Sequence, residues 1–225
     1  MLEVVEDHLS REEIEKIAGP SAELAASVRA LVEAVVRTEV DPDELSDVRR
    51  AVDELTARLR ARQLPGTFGT RYGNDGALRN WGNAATGLRN AVAPPLEVTY
   101  EDGGLVIGLA TLNAAYEGPA TFAHGGVGAL LLDQVMGEAA HAAGRPGFTA
   151  NLTLDYRAPT RLGQVRAEAE ALPAVAGQEH KTEVVGRLYS LSGGEETLSI
   201  EATGIFILPR AVRAKLQSSI DREGL

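Results

Sequence analysis

His124-Gly125-Gly126-Val127-Gly128-Ala129-Leu130-Leu131-Leu132-Asp133 is the stretch from which the rest of the chain is read. From Val127 to about residue 143 the pattern is helical and apolar almost all round, the mark of a buried rather than a surface helix. Glycines at its start leave backbone N–H groups uncovered. These groups have no partner inside the helix and carry the positive end of its dipole. Such donors suit a carbonyl oxygen that gains negative charge during a reaction. Asp133 lies two turns further in, between the deepest apolar side (Ala129, Leu132, Met136) and the polar side (Gln134, Glu138). A carboxylate there is partly withdrawn from water.

Strand patterns surround this helix. Alternation predicts strands at 96–100 and 105–112, joined by the turn signal Glu101-Asp102-Gly103-Gly104. Gly144-Arg145-Pro146-Gly147 stops the helix. Further strands are predicted at 148–157, 163–173, 179–191 and 196–208, and Pro209 ends the last. One long helix against a run of mostly antiparallel strands, in the order β-β-α-β-β-β-β, is an α+β fold. In the strand after the helix, strict alternation puts Thr149, Asn151, Thr153 and Asp155 on one face. Ala150, Leu152, Leu154 and Tyr156 then take the other. Residues 211–220 read as a short terminal helix.

The first third of the chain is different. Ser10 with Glu13 reads as a capping box opening a short helix that Gly19-Pro20 breaks. A second helix follows to about residue 40, with a stripe of Leu24, Val28, Leu31, Val35 and Val36. A third runs from Asp41-Pro42 to about residue 63, with a stripe of Leu45, Val48, Val52, Leu55 and Leu59. The last two read as an αα-hairpin covering the core or a dimer edge. A segment that binds a partner is the other reading, although the apolar pattern is short for a sustained coiled coil. Residues 64–95, rich in glycine, asparagine and arginine, read as an irregular connector holding Trp81. The expected division is an N-terminal helical extension and connector (1–93), a main domain (94–209) and a tail (210–225).

At 225 residues the chain is long enough for one full core. It has no cysteine, which removes disulfides, a thiolate nucleophile and any cysteine metal site. A net charge of −10 argues against nucleic acid as a partner. No apolar run approaches a membrane span, and an acidic first segment is unlike a basic leader, so a cytoplasmic chain is expected. His8, His141 and His180 show no metal-ligand spacing, so no metal is expected. There is no Gly-x-Ser-x-Gly elbow, and Gly126-Val127-Gly128 lacks the third glycine of a dinucleotide fingerprint.

The His124–Asp133 stretch resembles the histidine-Gly-Gly helix of PaaI-like acyl-CoA thioesterases, a hotdog-fold family. Thr149-Ala150-Asn151-Leu152-Thr153-Leu154-Asp155-Tyr156-Arg157-Ala158-Pro159 resembles the strand that follows it there, most of all in the thioesterase-superfamily-member branch. The resemblance covers about residues 94–209. It implies a sheet wrapped round a central helix, and hydrolysis of an acyl-CoA to a free acid and CoA. It implies Asp133 as general base or nucleophile, assisted by Thr149, with the Gly125 N–H as main oxyanion donor. His124 is expected to hold the loop and the pantetheine end, with direct proton transfer as a lesser role. Gly126 and Asn151 are expected near substrate, and Arg157, Arg161 and Lys181 are candidates for the CoA phosphates. No cofactor is implied, since CoA is part of the substrate. A homodimer or homotetramer is expected, each site shared, with Thr149 reaching a neighbour's Asp133. The alternatives are a non-catalytic acyl-CoA binding module on the same fold and, further off, a hotdog enoyl-CoA hydratase. Acyl chain length is not legible.

Overall fold

A computed structural model describes residues 6–64, 70–73, 78–178 and 180–209. The chain forms two compact units, Met1–Ala93 and Pro94–Leu225.

In the first unit, helix α1 (Arg11–Arg37) starts at Ser10, whose hydroxyl and Glu13 form the expected capping box. Gly19-Pro20 does not break it, because Pro20 sits inside one continuous helix. A proline costs one backbone bond and a clash. The good helix formers on both sides and the capped start outweigh that here. Helix α2 (Pro42–Arg60) is capped by Asp41, which accepts from the N–H groups of Asp43 and Glu44, with proline in its first turn. The hairpin expectation fails in one respect. Only Ala25 of α1 is buried and no residue of α2 is, so the two apolar stripes bury no common core. The connector is not wholly irregular. Strands β2 (Thr70–Gly73) and β3 (Leu78–Asn80) pair antiparallel, and β1 (Glu6–Asp7) adds to β2 in parallel. Arg89 lies over the Trp81 ring, 4.4 Å from its centre, so Trp81 is packed within this unit.

The second unit holds the predicted order. Strands β4 (Glu97–Tyr100) and β5 (Val106–Leu112) precede helix α3 (Gly125–Ala142). Strands β6 (Phe148–Tyr156), β7 (Gly163–Ala171), β8 (Lys181–Ser192) and β9 (Glu195–Ile207) follow it. They form one six-stranded sheet in the order β4-β5-β7-β8-β9-β6, antiparallel at every pairing. Alternation fixes which face meets the helix. Val165, Ala167 and Ala169 of β7 and Val184 and Leu188 of β8 are buried against Leu131, Leu132, Val135 and Met136 of α3. Two strand glycines let the helix sit this close. A Cβ at Gly186 would stand 2.9 Å from Met136 Sδ, and one at Gly204 2.8 Å from Met136 Cε. An antiparallel sheet carrying one buried helix on its face is the architecture that the hotdog resemblance implied. The predicted terminal helix at 211–220 lies outside the described residues.

Strand β6 holds an edge of the sheet, pairing among the described residues only with β9. Its register slips between Thr149 and Asn151: Thr149 faces Phe206 and Asn151 faces Ile205. Ala150 is therefore the extra residue of a β-bulge. Strict alternation predicted Thr149 and Asn151 on one face, and the bulge overturns that. Directly opposed residues share a face. Phe206 is buried on the helix side, so Thr149 joins Leu152, Leu154 and Tyr156 on the helix side. Asn151, Thr153 and Asp155 turn to the other.

Candidate active site

The bulge decides what Thr149 meets. Its hydroxyl donates to Asp133 Oδ1 at 2.7 Å. Asp133 is half-buried on α3, and its second carboxylate oxygen takes no hydrogen bond among the described residues. One oxygen is thus held and oriented while the other stays open to a proton. The pair forms within one chain. This corrects the expectation that Thr149 reaches a neighbour's Asp133.

At the start of α3 the donors divide their work. His124 is the N-cap, and its Nδ1 accepts from the Gly126 N–H at 3.0 Å. The Gly126 donor is therefore occupied. The Gly125 N–H has no partner among the described residues. It stands at the positive end of the helix dipole, ready for an anionic oxygen. His124 itself is exposed and tied to its own cap, two turns of helix from Asp133. The loop leading into it is tight. Thr121 has φ 72, uncommon for a β-branched residue. Its N–H donates to Glu117 Oε1 at 2.6 Å, which holds that conformation.

Sequence reasoning missed Tyr156. Its hydroxyl donates to the Gly125 carbonyl at 3.2 Å, and its ring covers the place where a Cβ on Gly125 would project. It fixes the first turn of α3 and keeps that position small. The signal was the spacing from Thr149, and strict alternation hid it by setting the two residues on opposite faces.

The remaining candidates fall elsewhere. Asn151 faces away from Asp133 and accepts from the Thr153 hydroxyl at 3.2 Å. Arg157 pairs with Glu201 at 2.7 Å and lies 3.7 Å from Asp155. Those acids, Glu201 first, push its already high pKa further up. Lys181 pairs with Glu183 at 2.6 Å. Arg161 has no acidic partner among the described residues; its guanidinium lies 5.6 Å from the centre of the Phe122 ring. Of the three cations suggested for phosphate, only Arg161 is not already neutralised.

A sequence profile described as "Thioesterase superfamily" matches residues 120–174, the span from the loop before α3 to the end of β7. The crystal structure of a thioesterase superfamily protein is similar at 27% identity with a TM-score of 0.71. It covers 83% of this chain and 94% of its own. That share exceeds the second unit, so the match extends into the first. Zebra fish thioesterase superfamily member 2 is similar at 17% identity over 57% of this chain and 91% of its own, with a TM-score of 0.47. The Escherichia coli PaaI protein is similar at 15% identity over 52% of this chain and 81% of its own, with a TM-score of 0.45. Among the described residues no helix is long and apolar enough to cross a membrane. The chain thus has the hotdog fold, and its central helix with the strands that follow is similar to proteins of the thioesterase superfamily.

Proposed function

We propose that the chain hydrolyses an acyl-CoA thioester to the free acid and CoA, with no cofactor. The observation that carries this reading is the hydrogen bond from Thr149 to Asp133 beside the buried helix. A water held between the Thr149 oxygen and the free oxygen of Asp133 loses its proton to the carboxylate as it attacks the thioester carbonyl. Direct attack by Asp133, forming a mixed anhydride that water then opens, uses the same two groups. Either way the carbonyl oxygen becomes an oxyanion, which the Gly125 N–H stabilises more than it did the ground state. Collapse of the tetrahedral intermediate expels the CoA thiolate.

This chemistry takes two copies of the chain. Gly125 and Asp133 are eight residues apart on one helix, a rise of about 12 Å. An oxyanion donor must lie within about 3 Å of the oxygen it serves. Gly125 therefore serves the carbonyl on which another copy's Asp133 works. The exposed edge strand β6, which carries Thr149, is the surface on which such a homodimer forms. The net charge of −10 repels a polyanionic ligand at long range, so local cations must hold the CoA phosphates. Arg161 is the first choice, with Arg157 and Lys181 behind it, since both already sit on acids. Asn151, on the far face of β6, and Gly126, whose donor is occupied, are weaker substrate contacts than the sequence suggested. A non-catalytic acyl-CoA binder has no use for an oriented carboxylate. A hydratase needs a histidine beside the acid.

The test is thiol release from a panel of acyl-CoAs by the purified wild type and by Asp133→Asn. The variant is expected to lose about 10²–10⁴ in rate while still binding acyl-CoA. Wild-type turnover by Asp133→Asn on the best substrate would remove Asp133 from the mechanism.

A further inference from the structure

Helix α2 presents Leu45, Val48, Val52, Leu55 and Leu59 at alternating spacings of three and four, the seam of a two-stranded coil. None of its residues is buried, and Leu45, Leu55 and Leu59 are 46%, 52% and 55% exposed. Leu45 and Leu59 lie seven residues to either side of Val52, with Val48 four before it and Leu55 three after.

The charges are not symmetrical. Asp43 and Glu44 lie in the first turn and Arg58 and Arg60 in the last. None of these four side chains makes an ion pair among the described residues, whereas the middle of the helix is internally paired, Arg49 with Asp53 and Arg50 with Asp47. The helix dipole favours acids first and bases last, but it gives no reason for an uncovered apolar seam between them. Glu44 and Arg58 each sit one residue before a terminal leucine of the seam, on the same flank. Two such helices laid antiparallel put Glu44 of each beside Arg58 of the other and close the seam on itself. Laid parallel, acid end meets acid end. We propose that α2 packs antiparallel against α2 of a second copy of this chain, in register about Val52. Two heptads are a short coil, so the pairing gains from the copies already being held together through their other unit.

The absence of cysteine makes the test clean. Full-length single-cysteine variants Val52→Cys, Leu45→Cys, Leu59→Cys and the off-seam Arg50→Cys are treated with a short bis-maleimide. Val52→Cys is expected to join to itself about tenfold faster than Arg50→Cys, because pairing raises the local concentration. Leu45→Cys is expected to join to Leu59→Cys when the two are mixed, and not to itself. Preferred joining of Leu45→Cys to itself, or a Val52→Cys rate equal to that of Arg50→Cys, overturns the proposal. In the Val52→Cys background, Glu44→Arg alone and Arg58→Glu alone should each slow the joining. A mixture of the two should restore it, and failure to do so also counts against the pairing. The readout is independent of thioester hydrolysis.

Discussion

In the proposed reaction Thr149 has two duties, and one substitution removes both. Its hydroxyl orients Asp133, donating at 2.7 Å, and in the proposed reaction its oxygen accepts from the attacking water. Both matter most while water attacks, so Thr149→Ala is expected to lower kcat by about tenfold or more while KM changes little. Steady-state kinetics on the best acyl-CoA decide this; an unchanged kcat with a raised KM would make Thr149 a substrate contact instead. Asp133 and Thr149 were legible as a candidate pair through the resemblance to the PaaI-like helix and strand, and the structure brings the two within hydrogen-bond distance. The division of labour between the two glycines was not. It depends on where the His124 ring turns, and that ring takes the Gly126 N–H and leaves the Gly125 N–H open.

Strand β6 shows how a single inserted residue builds the site. Without the bulge at Ala150, Thr149 would fall on the face of Asn151, away from the helix. Deleting Ala150 removes only the unpaired residue and leaves Thr149 opposite Phe206, so the deletion is expected to keep Thr149 on the helix side beside Asp133. Activity should fall less than in Thr149→Ala, with a thermal melt confirming the fold. Activity as low as that of Thr149→Ala would mean that the bulge does more than set which face Thr149 takes. The strand itself was legible from alternation, whereas the bulge was not, because alternation is the assumption a bulge breaks. The Gly19-Pro20 break failed for a related reason, local propensity yielding to the helix on either side. At the opposite edge of the sheet, the Tyr100 hydroxyl of β4 donates to Glu138 Oε2 of α3 at 2.9 Å. Burial first, then the hydrogen bond and the charge of Glu138, push its pKa up to about 12. A phenol with a raised pKa in the fold adds stability that is whole below its unfolded pKa of about 10 and is lost as pH rises through about 12. Tyr100 is 57% exposed, so solvent screening keeps the contribution small. Tyr100→Phe should thus be slightly less stable than wild type at neutral pH, with the gap closing between these values. Its phenolate absorbance titration should lack the latest step of the wild type. An unchanged titration would mean that Glu138 does not hold this hydroxyl.

The sequence suggested a site divided between subunits at Thr149 and Asp133; in the proposed reaction the division falls between Gly125 and Asp133 instead. Asp133 and Thr149 belong to one chain. Mixing Asp133→Asn with Thr149→Ala is therefore expected to leave every site damaged, because each chain carries both residues of the pair on one side of the proposed seam. The informative partner for Asp133→Asn is Gly125→Pro. Proline is well suited to the first helical position, and it removes the one N–H at issue. His124 already has φ −60 and ψ 132, a conformation that the residue before proline accepts. The added Cβ would approach the Tyr156 ring at 3.2 Å. Gly125→Ala carries the same Cβ but keeps the donor, so it serves as the control and should remain active. Gly125→Pro alone is expected to lose about 10²–10³ in kcat, the usual cost of one oxyanion donor. Co-refolded with Asp133→Asn, it should regain about a quarter of wild-type activity, since half the dimers are mixed and each mixed dimer holds one intact site. No recovery despite mixed dimers seen by native mass spectrometry would show that Gly125 and Asp133 serve the same chain's substrate. The 12 Å argument would then fail, since one site would have to span that distance.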